Sequence, residues 1–309
     1  MRVKKIFWSI LQIVLVVALF YYVVSPLVRN AKAFKETFLT LNPWFLSGGV
    51  IFLSLIIFCY PFVWRYILKG FGIEIPPKLA IISWIYSNVG KYVPGKIWQF
   101  VGRVALTRDV APEITLATVF LEVIISSSSA VMVFFARFFL KGGIPQLWAI
   151  YALLLFAVLI VLQHPRFVKF FLKLFAKVRK QDYDFTKINI PFKRNLWVFV
   201  WYFVLWIATG VSFWIMVQGS NIKVLLLDSI TTYPISWILG YLMLIAPAGF
   251  GVRESILMTL LRGSYPAEVA SAFSLLTRMA LIFSDFLLFF ITLMTLGNPL
   301  LAKKGGNSN

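Results

Sequence analysis

The chain has 309 residues, of which 61% are hydrophobic, 17% aromatic and only 13% charged. Soluble domains carry about 25% charged residues, so this composition excludes a water-soluble globular enzyme. Its high hydrophobicity also excludes a disordered chain. We therefore predict an all-α protein that crosses the membrane several times.

The chain carries a net charge of +19, from 30 Lys and Arg against 11 Asp and Glu. In a membrane protein this excess sets the orientation and favours anionic lipid, so we expect no nucleic-acid partner. One Cys and one His are too few for an intramolecular disulfide or a Cys- or His-based metal site. We predict neither a metal nor any other cofactor.

Six apolar runs are long enough to cross about 30 Å of hydrocarbon, which takes about 20 helical residues. The run after the basic start is longer than the apolar part of a signal peptide, which predicts an uncleaved span. The six runs are residues 6–24, 44–64, 114–136, 144–163, 196–217 and 269–296.

Two further stretches, 79–107 and 224–262, are broken by proline and glycine. In the first, each arm is too short to span and Pro94-Gly95 separates them. The second breaks at Pro247–Gly251, although its first arm is itself long enough to cross. We predict two re-entrant helical hairpins. Irregular backbone at membrane depth must line protein or a wet cavity, so the hairpins also predict an internal cavity.

The two breaks have similar surroundings. In both, an arginine follows the break and precedes another proline by four residues: Arg108 before Pro112, and Arg262 before Pro266. The first hairpin follows two predicted spans and the second follows five, an odd difference that makes the repeats 44–136 and 196–296 inverted. Inverted repeats with broken helices are typical of transporters. Chance similarity between apolar segments is the alternative.

Loop charge predicts the orientation. With the N-terminus in the cytoplasm, most Lys and Arg fall in cytoplasmic segments, above all in 164–195, as the positive-inside rule requires. Six spans then place the C-terminus in the cytoplasm as well, and we expect residues 301–309 to form a disordered tail. The single membrane domain would cover residues 1–300.

The first hairpin concentrates cations. Lys96, Gln99 and Arg103 follow the break at a spacing that places them on one helix face, behind a helix N-terminus that favours anions. Together with Lys91, Pro94 and Gly95, they predict a site for an anionic lipid head group, most simply a phosphate. The alternative is that Lys91 and Lys96 extend to the inner membrane surface.

The second hairpin contributes Gly249 and Gly251, which permit close backbone approach, followed by Arg253 and Glu254. Glu254 fits either a helix cap or a functional carboxylate. A cation is disfavoured at a helix start, so Arg253 requires an anionic partner. We assign the glycines and Arg253, together with Arg278 in the last span, to head-group binding from the outer side.

Three acidic residues, Glu122, Glu254 and Asp285, are predicted to lie at membrane depth. Such charges usually form pairs or line a path. They would couple transport to protons, or else form static pairs such as Glu122–Arg278 or Arg278–Asp285. No spacing predicts a catalytic pair, so we assign no catalytic residue.

Residues 164–182 alternate phenylalanine and lysine at helical spacing. The pattern predicts an amphipathic helix that lies on the anionic inner leaflet.

The segments Asn88–Lys96, with Arg103 behind it, and Pro247–Glu254 resemble the flippase-like family that includes the transmembrane region of lysylphosphatidylglycerol synthases. The resemblance covers about residues 5–298. It implies a plasma-membrane protein of a bacterium or archaeon that handles polar lipids. Family members with known roles move aminoacylated phospholipids between leaflets, and others accompany lipid-linked sugar pathways.

In the full synthases a soluble aminoacyl-transferase domain follows the membrane region. Here only a short tail follows residue 301, so we do not expect synthase activity. The prediction is a flippase or transporter for an anionic or phosphate-bearing lipid, either a phospholipid or a lipid-linked sugar.

Two alternatives stay open. One is a membrane enzyme that transfers a group to or from a lipid phosphate. The other is a membrane partner subunit of a separate lipid-modifying or glycosyl-transferring enzyme. A second copy of the chain is a further partner that the sequence leaves open. No Walker-type phosphate loop is present in the sequence, so we expect transport to be passive or ion-coupled.

Overall fold

The computed structural model describes residues 39–93, 97–141, 146–178, 192–243 and 247–297. All regular secondary structure in these ranges is helical, which confirms the predicted all-α class. The predicted first span, 6–24, and the predicted tail, 301–309, lie outside the described residues.

Ten α-helices and two short 3-10 turns form the described part of the chain. The turns are Gly90–Tyr92 and Pro247–Gly249. The helices are α1 (Pro43–Gly70), α2 (Pro77–Val89), α3 (Trp98–Leu106), α4 (Pro112–Lys141), α5 (Gln146–Leu162), α6 (Pro165–Val178), α7 (Phe192–Met216), α8 (Leu226–Leu242), α9 (Val252–Arg262) and α10 (Ala267–Leu296).

Proline defines where several helices begin. It occupies the first position of α1, α2, α4 and α6, where its missing N–H would have no helical partner in any case. At α1 the Asn42 side chain adds a cap by accepting a hydrogen bond from the Trp44 N–H at 3.0 Å. These starts follow directly from the sequence.

Four helices in the described ranges are long and apolar enough to cross a membrane: α1, residues Pro112–Arg137 of α4, α7 and α10. They contain the predicted runs 44–64, 114–136, 196–217 and 269–296 almost entirely. The predicted span 144–163 is α5, which has 17 residues. At 1.5 Å per residue it extends about 26 Å, short of the hydrocarbon thickness. The total of six spans therefore stays a prediction.

Both broken stretches are helix–break–helix units. The arms α2 and α3 pack side by side, as do α8 and α9, and we call these units hairpin 1 and hairpin 2. The first arm of hairpin 2 ends at Leu242, four residues before the predicted end at 246. The 3-10 turns at the two breaks contact each other. That the hairpins re-enter the bilayer stays a prediction.

The two halves pack in a two-fold pattern. Helices α1–α4 and α7–α10 follow the same order of long helix, two short arms and long helix. Helix α1 packs on α7; α4 packs on α7 and α8, while α10 packs on α1 and α2. Exchanging the halves exchanges these contacts, which is the pattern expected for two repeats related by a two-fold axis.

The exterior of this bundle is apolar and much of its interior is polar. Leu55, Trp201 and Phe283 are among the large apolar side chains that are exposed on the long helices. Buried serines and threonines line the helix contacts, for example Ser128, Ser129 and Thr232. Contacts between membrane helices commonly use such small polar residues. The outer surface therefore suits lipid rather than water.

Glycine shapes the tip of hairpin 2. Gly249 has a φ of +71°, and a Cβ there would lie 2.5 Å from the carbonyl oxygen of Gly240. Gly251 has a φ of +80°, but a Cβ there would meet nothing within 4 Å. The break thus requires glycine at Gly249 for both conformation and space, and at Gly251 for conformation alone.

We predict a graded series of alanine substitutions. Gly251→Ala should destabilise the protein by roughly 1–2 kcal/mol, the cost of a left-handed residue. Gly249→Ala should cost more, roughly 3 kcal/mol, because a clash with the backbone is added. Gly263→Ala, at a φ of −68° and with open space around it, is the control and should be near neutral. Thermal unfolding in a lipid environment measures the order; equal effects at Gly249 and Gly251 would contradict the close packing.

We also predict that the two hairpins open to opposite sides of the membrane. Arg108 follows the second arm of hairpin 1, and Arg262 ends the second arm of hairpin 2. Both side chains are exposed. Single cysteines at these positions, in a Cys59→Ser background, should react with an impermeant maleimide from opposite faces of oriented vesicles. Reaction of both from the same face would exclude the inverted relation.

Candidate functional site

A cavity of about 150 Å³ lies where the two hairpins meet. Both halves of the chain line it, since α2, α3 and α4 face α7, α8 and α10 across it. Six of the predicted site residues border this cavity: Lys91, Gln99, Arg103, Glu122, Arg253 and Asp285. The structure therefore brings together side chains that are nearly 200 residues apart in sequence.

Arg103 and Glu122 form a buried ion pair within the first half. The Arg103 Nη1 donates to Glu122 Oε2 at 3.0 Å, and its Nε donates to Ser87 Oγ at 3.0 Å. The Trp84 indole N–H and the Tyr202 hydroxyl donate to Glu122 Oε1 at 2.8 and 3.0 Å. Four polar atoms of this pair, Nε and Nη1 of Arg103 and both carboxylate oxygens of Glu122, are thus held by partners.

Lys91 and Asp285 form a second pair, between the two halves. Lys91 lies in the turn of hairpin 1, and its Nζ is 2.6 Å from Asp285 Oδ2 on α10. The Tyr92 hydroxyl and the Asn88 amide also donate to this carboxylate, at 2.6 and 2.8 Å. Asp285 therefore binds the tip of hairpin 1 to α10.

Arg278 and Glu254 form a third pair, in the second half. Arg278 Nε is 3.5 Å from Glu254 Oε1, and its Nη1 donates to the Ala248 carbonyl at 3.0 Å. Glu254 also accepts from the Gly251 N–H at 2.6 Å, so the predicted capping role is present. Arg278 thereby binds the tip of hairpin 2 to the same helix, α10.

The two static pairs considered from the sequence, Glu122–Arg278 and Arg278–Asp285, are wrong. Arg278 and Asp285 are two helical turns apart on α10, too far along the axis to meet. One of them faces hairpin 2 and the other hairpin 1. Glu122 on α4 already pairs with Arg103, which lies on α3, the second arm of hairpin 1.

Arg253 differs from the other three cations. Its Nη2 donates to the Tyr233 hydroxyl at 2.9 Å, and its guanidinium lies 5.3 Å from the centre of the Tyr233 ring. Within the described part of the chain no carboxylate pairs with it. The anionic partner that the sequence requires is not a protein side chain among the described residues.

Of the six remaining predicted residues, three lie outside the described residues and three contact or shape the hairpins. Pro94, Gly95 and Lys96 lie outside the described residues. Gln99 donates to the Tyr241 hydroxyl at 2.8 Å, across the contact between the hairpins. Gly249 packs against Gly240, and the Gly251 amide is occupied by Glu254, so both glycines shape the tip.

In the described ranges, no group of three or more His, Cys, Asp or Glu side chains could hold a metal ion.

The sequence analysis missed the aromatic walls of the cavity. Helical spacing could have revealed them, because the lining residues recur every three or four positions on single faces. The aromatic residues are Trp84 of hairpin 1, Tyr202 and Trp206 on α7, and Tyr233, Trp237 and Tyr241 on α8. Asn88 and the predicted Lys91 continue the face of Trp84, and Thr209 continues that of Tyr202 and Trp206. It also missed the buried pair of Arg137 and Asp228, which joins α4 to α8 away from the cavity.

Comparison with known proteins agrees with the resemblance found in the two motifs. The family described as the lysylphosphatidylglycerol synthase TM region matches residues 9–296. Neither the search of curated proteins nor that of solved structures gave a match. Because the matched region is nearly the whole chain, the protein belongs to the family of the lysylphosphatidylglycerol synthase TM region.

Proposed function

We propose that the protein is a lipid flippase or lipid transporter, which moves a lipid with an anionic or phosphate-bearing head group between leaflets. One observation carries this proposal: a cavity lined by ion pairs lies between two broken helical hairpins, inside a bundle with an apolar exterior. Membrane transporters use broken helices around a central site in this way. Membership in the family supports a lipid-related role.

The size of the cavity indicates which part of a lipid it would take. At about 150 Å³ it is smaller than the roughly 300–1,000 Å³ typical of a site for a complete small molecule. A head group would occupy it while the acyl or prenyl tails stay in the bilayer, against the exposed apolar side chains of the long helices. The polar part of the lipid would then never cross hydrocarbon unshielded.

The ion pairs explain how an anionic head group would bind without leaving charges unpaired. A phosphate that approaches Arg103 competes with Glu122, and one that approaches Lys91 competes with Asp285. A buried charge that loses its partner is costly, so exchange of partners is easier than separation. We expect the cations to alternate between protein carboxylates and lipid phosphate.

The same pairs favour transport over group transfer. A general base needs a free lone pair directed at the substrate. The two carboxylates that line the cavity, Glu122 and Asp285, instead pair with cations and accept hydrogen bonds from aromatic side chains. Glu254 has one oxygen, Oε1, that accepts no hydrogen bond, but this residue does not line the main cavity and its Oε1 lies 3.5 Å from Arg278 Nε. The arrangement suits binding and release of an anion.

A double-substitution series tests whether Arg103 binds lipid or only stabilises the fold. Arg103→Gln alone should destabilise the protein by about 3–5 kcal/mol, because Glu122 is left buried without its partner. Arg103→Gln combined with Glu122→Gln removes both charges and should recover most of that stability. If Arg103 binds the head group, the stable double variant should still lose transport, by about tenfold or more.

Arg103→Lys serves as the matched variant, since it keeps the charge but cannot offer two parallel N–H groups to phosphate. We expect transport several-fold below wild type. The measurement is the appearance of a labelled head group in the opposite leaflet of vesicles, normalised to folded protein. A double variant that transports at the wild-type rate would show that Arg103 is a structural residue only.

We further propose that α6 lies on an anionic leaflet, which places it at the cytoplasmic face of the plasma membrane. Val168 is its buried contact with the bundle, at 1% exposure, whereas Phe167 and Phe170 are exposed beside Arg166 and Lys173. Exposed phenylalanines next to cations suit the boundary between lipid tails and head groups.

A fluorophore on Phe170→Cys in a Cys59→Ser background tests the placement of α6. In vesicles with anionic lipid, its emission should shift to the blue at low salt and return at high salt, since each cation near the surface contributes ~1 kcal/mol that salt screens. Lys169→Gln with Lys173→Gln should reduce the shift. An equal shift in neutral vesicles would remove the electrostatic part of the proposal.

A further inference from the structure

We propose that the cavity binds a singly charged oxyanion at Arg253 and discriminates against doubly charged phosphate groups. This inference rests on the proposed function, since it concerns the same cavity, and it specifies the charge of the head group. The shared chemistry is that of a monoanionic oxyanion, which could belong to a lipid phosphodiester or to a small free anion.

Among the described residues, the charges around the cavity do not cancel. The described residues that line it or adjoin it include four cations and three carboxylates. Three of the cations form the pairs Arg103–Glu122, Lys91–Asp285 and Arg278–Glu254. Arg253 is the cation left over, so the set carries a net charge of +1.

The guanidinium of Arg253 is only partly satisfied. Its sole hydrogen-bond partner in the described structure is the neutral hydroxyl of Tyr233, and its Nε is buried without any partner. Arg253 is half-buried, and a cation held partly away from water is more stable beside an anion than beside a neutral group. The missing negative charge is therefore the clearest unmet requirement of this site.

A second, small chamber shows where an oxygen of the ligand would lie. It has a volume of about 10 Å³, and Arg253, Glu254, Ser274 and Arg278 line it. Arg278 is 4% exposed, and its Nη2 has no hydrogen-bond partner among the described residues. Buried N–H groups without acceptors are costly. The chamber accommodates one atom the size of a water oxygen. The two arginines that line it have unsatisfied donors, and Glu254, which also lines it, has one oxygen, Oε1, that accepts no hydrogen bond.

Two structural features support an anion at this position. Arg253 lines both the main cavity and the small chamber, so an oxyanion could place one oxygen in the chamber while its remainder stays in the cavity. Helix α9 begins at Val252, and the positive end of its dipole lies at the same place. Glu254 occupies the Gly251 N–H, so the arginines supply most of the binding.

The net charge determines the preferred valence of the ligand. One negative charge brings the set to neutrality, whereas two would leave a buried excess of one negative charge beside Glu254 and Asp285. Charges buried without compensation are strongly disfavoured. A phosphodiester carries one negative charge, but a phosphomonoester has a second pKa of about 6 and is mostly doubly charged at pH 8.

Binding to purified protein in nanodiscs of neutral lipid tests the inference. Trp206 and Trp237 line the cavity and report binding by fluorescence. The probes, at pH 8, are short-chain phosphatidylglycerol, short-chain phosphatidic acid and tail-free glycerophosphoglycerol. We expect the phosphodiester lipid to bind about tenfold or more tightly than phosphatidic acid. Equal or tighter binding of phosphatidic acid to the wild-type protein would overturn the proposal.

The two phosphodiester probes separate the sources of the anion. If glycerophosphoglycerol binds as tightly as short-chain phosphatidylglycerol, the ligand is recognised as a free anion. If only the lipid binds, the ligand is a head group held together with its tails. Either result supports the preference for a single charge as long as phosphatidic acid binds more weakly.

Variants at Arg253 identify the anchor. Arg253→Gln should weaken phosphatidylglycerol binding by about tenfold or more, because the substitution removes a charge-assisted hydrogen bond to the phosphate. It should not lower the unfolding temperature of the ligand-free protein, since it removes an uncompensated cation. Arg262→Gln, an exposed arginine at the other end of α9, should bind like wild type. Wild-type affinity in Arg253→Gln would overturn the assignment.

Failure of this inference is distinguishable from failure of the proposed function. Selective, Arg253-dependent binding without any movement of lipid between leaflets would support the inference and reject the transporter. Lipid movement with equal affinity for the singly and doubly charged lipids would support the transporter and reject the inference. If Arg253→Gln does not fold, the comparison of the two lipids on wild-type protein decides the inference by itself.

Discussion

A charged side chain held away from water needs a partner of opposite charge, and this constraint governs how the two hairpins are arranged. The pairs Lys91–Asp285 and Arg278–Glu254 each join an element of a hairpin to α10. The pair Arg103–Glu122 joins the second arm of hairpin 1 to α4. Without these contacts the breaks would expose backbone and charge to hydrocarbon. With them, the breaks become the walls of a polar cavity.

Helix α10 connects the two hairpin tips mechanically. Asp285 contacts the turn of hairpin 1 through Lys91 and Tyr92, and Arg278, two helical turns away, contacts the Ala248 carbonyl in the turn of hairpin 2. The Arg278 guanidinium also lies 6.0 Å from the Tyr92 ring, so the two contacts share a neighbour. A displacement of either tip changes the contacts of one rigid helix. In a transporter, this link would prevent the two hairpins from opening independently.

Hydrophobic length was sufficient to predict the four long helices of the described structure, because it acts locally. The starts at Pro43, Pro77 and Pro112 also need no tertiary information, although the sequence analysis did not assign them. The partners of the charged residues could not be predicted, since Asp285 meets Lys91 only after the halves pack together. The same holds for Glu122, for which the sequence analysis considered Arg278 as one possible partner, whereas the structure pairs it with Arg103. The aromatic walls were predictable from spacing on single helix faces, but an apolar sequence offers many such spacings and nothing local selects among them.

The two halves repeat the same elements with the charges exchanged. In the first half the arm after the break carries the cation, Arg103, and the long helix carries the carboxylate, Glu122. In the second half the arm carries Glu254 and the long helix carries Arg278. The second half also carries Arg253, immediately before its carboxylate, and no carboxylate among the described residues pairs with it. A strict repeat would present the same charge to a ligand from both hairpins. The exchanged pairs are each neutral, so the cation without a carboxylate partner among the described residues is Arg253 of hairpin 2. An anion in the cavity would therefore be attracted to that side and would meet the neutral pair Arg103–Glu122 on the other.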